Sequence, residues 1–175
     1  MRSSLNITRK TYYAIGMAGV ALSMAGAFFV VFGSSMALLD NIAFVLTGIM
    51  FLFLASVKGS PKIEKTRYFC CFLLLLFGAG MILYIPLVNR IASGLCWPVF
   101  LWYEELREEG VRRQAIAVTA VEAVSFALWL LIVPGGLESL ILPANLMWLV
   151  TTVVRAWGVL SLYKKESARQ AGCKP

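Results

Sequence analysis

Glu122 and Arg155 are the two residues of this chain whose type and placement suit intramembrane chemistry. Glu122 is the only ionisable residue in the apolar stretch 115–133. Arg155 lies inside a second stretch, 137–163, whose other charge is Glu138 near its far edge. The 175 residues hold 16 Lys plus Arg and 9 Asp plus Glu, nearly all of them placed between apolar blocks. A charge within such a block is costly and faces a partner, a cavity or a permeation path. The expected chemistry is therefore an ion pair, a gate, or a pair of solute-binding charges.

Both residues have polar company at helical spacing. Thr119 and Ser125 lie three positions either side of Glu122, which puts them on broadly the same face. Thr151 and Thr152 precede Arg155 by four and three, and Asn145 lies further along the same stripe. The candidate polar site is thus Glu122, Arg155, Thr119, Ser125, Asn145, Thr151 and Thr152. Trp129 and Trp148 stand near enough in sequence to cap it or to pack the core.

Other chemistry finds little footing. There is no histidine, which removes the commonest proton shuttle, the commonest metal ligand and the serine-histidine triad. Cys70 and Cys71 are adjacent and so point in different directions on a helix, and nothing near them completes a metal tetrad. No phosphate-cradling or dinucleotide glycine motif is present. No catalytic, cofactor-binding or metal-binding residue is expected. An enzyme reading survives only through the loop 104–113 meeting a lipid substrate.

The elements that must position the pair follow from composition. A chain 60% hydrophobic and 14% charged is far from the soluble average. Apolar blocks cover 11–33, 36–57, 68–88, 91–103, 115–133 and 139–163. A spanning helix needs about 20 such residues, and all but the fourth meet or approach that length. The first block is longer than the roughly 7–15 residues of a signal-peptide core, so it is expected to stay as a span. The fold class is all-α: a polytopic bundle of six transmembrane helices over 1–163, both termini cytoplasmic, with 164–175 as a flexible cytoplasmic tail.

Charge sets the orientation. With six spans and an inner N-terminus, Arg90 is the lone basic residue outside; every other Lys and Arg but Arg155 lies inside. If the short fourth block does not cross, that asymmetry vanishes. Tyrosines agree: Tyr12, Tyr13, Tyr68, Tyr103 and Tyr163 fall at inner helix ends, where phenol rings favour the interface. Pro98 is expected to kink the fourth span. The net charge of +7 reads as orientation and contact with anionic headgroups of a bacterial-type cell membrane, not as nucleic-acid binding. Glu104, Glu105, Glu108 and Glu109 read as an ordinary solubilising loop.

Depth ties the pair together. Glu122 and Arg155 each lie eight positions from an inner boundary, Gln114 and Tyr163, or roughly 12 Å at helical rise. Their helices are joined by a Pro134-Gly135-Gly136 turn, so direct pairing is expected. On the first span, Gly16, Gly19, Ser23 and Gly26 form a smooth face for a packed neighbour within the bundle or for a homodimer. Two functions stay open. One is a carrier of a small solute or ion using the charged pair. The other is a scaffold or accessory subunit in which the pair is structural.

Overall fold

The computed structural model describes residues 9–33, 37–56, 72, 86–107, 109–133 and 135–172. Among them the chain is all-helical. Helix α1 is Arg9–Val31, α2 is Ala37–Ser56, α3 is Pro86–Leu106, α4 is Arg112–Ile132 and α5 is Ile141–Gly172. A single 3-10 turn, Glu138–Leu140, leads into α5. The expected span 68–88 lies almost wholly outside the described residues, and so do Cys70 and Cys71.

Three of the described stretches are long and apolar enough to cross a membrane: Arg9–Val31, Arg112–Ile132 and Glu138–Gly172. Away from their ends, most of their outward residues are hydrocarbon, as a lipid-facing surface requires; Phe28, Leu131 and Val153 are each about half exposed. The inward face of α4 is Ala115, Val118, Glu122 and Ser125, and that of α5 includes Thr151, Thr152, Arg155, Gly158, Val159 and Leu162. Both sets recur at three- and four-residue spacing, the mark of one buried helical stripe.

Two elements differ from the sequence reading. Helix α3 runs 21 residues, longer than its apolar block, and continues through Pro98 as a single helix. Helix α5 does not stop at Tyr163, the expected inner boundary, but extends to Gly172. Composition sees only hydrocarbon and therefore misses helix that continues beyond it.

Turn chemistry joins α4 to α5. Gly136 adopts φ +69°, a left-handed conformation that favours glycine. From there its N–H reaches the Ile132 carbonyl at 3.0 Å, and the Leu137 N–H reaches that of Leu131 at 3.2 Å. Those bonds satisfy carbonyls that the helix end leaves without intrahelical donors.

Helix α1 packs against α2 and α5, and α4 packs against α3 and α5. The small residues of α1 make the first of these contacts close. A Cβ on Gly19 would stand 3.0 Å from the Ala43 carbonyl oxygen and 2.9 Å from Thr47 Cγ2. On Gly16 it would run into Met50 Sδ. Gly16 and Gly19 thus face α2 within the same chain. A carbonyl held in a helix yields less than a thioether, so the two glycines differ in tolerance. Gly19→Ala should destabilise the bundle by about 1–3 kcal/mol. Gly48, whose added Cβ would meet nothing within 4 Å among the described residues, should tolerate alanine without loss. Reversible unfolding in mixed micelles measures both.

Candidate functional site

The two charges singled out in the sequence meet. Arg155 donates from Nε to Glu122 Oε1 at 2.6 Å, and its Nη2 pairs with the same oxygen. Each residue is only 6% exposed. The contact joins α4 to α5, and a third helix closes over it: the Arg155 guanidinium lies 5.4 Å from the centre of the Trp97 ring on α3. A cation over an indole face gains electrostatic stabilisation without a hydrogen bond. Trp97 in turn meets Phe51 of α2 edge-on at 5.1 Å, and Phe51 meets Phe100 at the same distance.

The remaining candidates divide. Thr151 and Thr152 are buried beside Arg155, but their hydroxyls donate to the carbonyls of Met147 at 2.9 Å and Leu149 at 2.8 Å. Ser125 is buried on the Glu122 stripe. Asn145 is half-buried near the start of α5. Thr119 is exposed: it donates to the Ala115 carbonyl at 2.7 Å and accepts from Trp102 Nε1 at 3.1 Å. Geometry explains the split, since Thr119 and Ser125 lie roughly 60° to opposite sides of Glu122 on the helix. The buried face is centred toward Val118 and Ser125, which leaves Thr119 on its rim. Trp129 stacks on Phe126; the indole over the charge is Trp97.

A second charged cluster sits at the end of the bundle that carries Arg9. Glu104, just beyond the apolar run 91–103, is 0% exposed. Its Oε2 accepts from Tyr13 OH at 3.0 Å and from Arg9 Nη2 at 3.2 Å. Glu109, 6% exposed, accepts at Oε1 from Arg9 Nη1 at 3.3 Å and from Arg169 Nη1 at 2.9 Å. Lys165 donates to the Glu109 carbonyl and, at 2.7 Å, to that of Gly110. Burial pushes the Glu104 carboxyl up to about 7, against the opposing pull of Arg9 and Arg107.

The sequence reading of 104–109 as a solubilising loop therefore holds for neither Glu104 nor Glu109. Their partners come from α1 and α5, 95 and 60 residues away. One signal was available: a helix ending in two glutamates and another beginning with arginine are complementary if those ends adjoin. No metal-holding group of three or more Cys, Asp or Glu occurs among the described residues.

Among the described residues, fold and site define an all-helical chain with helices of membrane-spanning length and two buried ionic clusters. No known protein family, curated protein or solved structure matches the chain.

The lower cluster has a measurable consequence. Glu109 holds the last two turns of α5 through Arg169. Glu109→Gln should free that segment, so trypsin should cut the folded protein after Lys164, Lys165 or Arg169 about tenfold faster. An unchanged cleavage rate would show that the ion pairs do not hold it.

Proposed function

We propose that the chain is a non-catalytic membrane scaffold or accessory subunit whose Glu122–Arg155 pair fixes helix register. The observation that carries this reading is the closure of the pair upon itself. Two guanidinium nitrogens address one carboxylate oxygen, an indole covers the cation, and the adjacent threonine hydroxyls bond their own helix. A charge paired in this way by its own fold calls for no solute. In this reading six spans place both termini in the cytoplasm of a bacterial-type cell membrane. The exposed Arg112, Arg113 and Lys164 then meet anionic headgroups.

A second reading, a carrier of a small solute or ion, draws on one specific feature. A Cβ on Gly94 of α3 would have Glu122 Oε2, at 3.9 Å, as its only neighbour within 4 Å among the described residues. Among those residues, room is thus left beside the carboxylate oxygen that Arg155 does not engage. A polar solute held there would compete with Arg155 for Glu122 and so loosen the pair as it passes.

Two experiments separate the readings. For a register pair, Glu122→Ala or Arg155→Ala alone should cost about 3–5 kcal/mol, because a buried charge is left unanswered. The double exchange Glu122→Arg with Arg155→Glu should recover most of the folded protein, measured by monodisperse yield after membrane extraction. Single variants as stable as the parent would sink the register account. Gly94→Cys, in a background without the four native cysteines, should resist a membrane-impermeant thiol reagent in a scaffold. Rapid labelling of that cysteine would favour the carrier.

A further inference from the structure

The cluster at the Arg9 end contains an oxygen that its surroundings do not answer. Glu104 is wholly buried, yet both of its donors, Tyr13 OH and Arg9 Nη2, address Oε2. Oε1 is buried and accepts no hydrogen bond among the described residues. Arg107 Nη1 stands 4.0 Å from it, an ion pair too long for a hydrogen bond, and makes no hydrogen bond to another described residue. An ionised carboxylate with one bare oxygen out of water is among the costliest arrangements a fold can hold. A neutral carboxylic acid costs less, because an unpaired hydroxyl rather than an unpaired charge is then buried.

We propose that Glu104 is a proton-binding site, protonated on Oε1 in the packed bundle and deprotonated when the α1 end separates from α3 and α5. The groups that face it are Arg9 and Tyr13 from α1, Arg107 one turn on, and Glu109 from the connection to α4. Arg169 of α5 acts at one remove, through Glu109, and Glu166 acts through Arg169. Arg9 and Arg107 favour the charged form, whereas burial and Glu109 favour the neutral one; burial is the largest of these.

Protonation is then tied to packing, with a definite sign. A solvated glutamate titrates near ~4.3, whereas the packed one titrates near about 7. Between those values the packed state binds more protons than the open one, so its stability falls as pH rises. The contribution is full below the lower value and is lost as pH passes the upper one. Acidification holds the Arg9 end together, and separation releases a proton to the solvent on that side.

The test is infrared difference spectroscopy of the full chain in lipid nanodiscs, between about pH 5.5 and about pH 8.5. The parent should show a carboxylic-acid carbonyl band that disappears as pH rises through this range. Glu104→Gln, the neutral mimic, should lose that band, whereas Glu122→Gln should keep it. Tyr13→Phe removes a donor that favours the charged form and should move the midpoint up by about one pH unit. The thermal midpoint of the parent should fall across the same range, and that of Glu104→Gln should stay flat. Should Glu104→Gln not fold, the Tyr13→Phe shift decides alone. A parent with no titrating acid band, a band that survives Glu104→Gln, or an unmoved midpoint in Tyr13→Phe would overturn the proposal.

Discussion

A charge placed among hydrocarbon must be answered by its neighbours, and the described architecture is arranged around that requirement. The Glu122–Arg155 contact alone involves four helices. It joins α4 to α5, rests under Trp97 of α3, and through Trp97 reaches Phe51 of α2. Beside Phe51, Met50 packs into the gap left by Gly16 of α1. The Leu101 side chain of α3 reaches α5 at Gly158, where a Cβ would stand 3.0 Å from Leu101 Cδ1. Apolar packing and ion pairing are therefore not separate layers here. The small residues let the helices come near enough for the long polar side chains to meet.

The Arg9 end obeys the same requirement by different means. Its charges belong to helix termini, which in a membrane protein ordinarily lie in water and need no partner. Here Glu104 and Glu109 are covered instead, by Arg9 and Tyr13 on one side and by the extension of α5 on the other. That extension makes the enclosure possible: Lys165 and Arg169 lie beyond the last apolar turn and fold back over the α3–α4 connection. The left-handed Gly110, φ +60°, turns the connection so that its carbonyl meets Lys165.

How much of this was legible in the sequence depends on the range of each interaction. The stripe containing Glu122 was visible from spacing, and the pairing with Arg155 followed from matched distance along two joined helices. The displacement of Thr119 was not, because spacing places residues about a helix axis without saying where the buried face is centred. Trp97 was missed for a similar reason. It lies on the helix before α4 and outside both apolar runs, so no periodicity within either run links it to Arg155. The enclosure of Glu104 by Arg9 joins residues 95 apart, and only the assembled bundle reveals which helix ends adjoin. Charge counting averages over loops and so treats a buried glutamate and a solvated one alike.

The two clusters also differ in what they can specify. In lipid there is little hydrophobic drive to prefer one apolar helix face over another, so packing alone discriminates poorly between neighbouring registers. A slip of one turn, about 5.4 Å, would separate a carboxylate from a guanidinium that now meet at 2.6 Å. It would leave both charges unanswered in hydrocarbon. An apolar pair of the same volume would serve stability as well or better, but it would penalise that slip far less. The Glu122–Arg155 pair is thus better understood as a constraint on arrangement than as a source of net stability. Glu104 is the opposite case. In the proposed reading its oxygen without a hydrogen bond makes the packed arrangement conditional on a proton, so the interior pair would set the register while the helix-end cluster would make closure reversible.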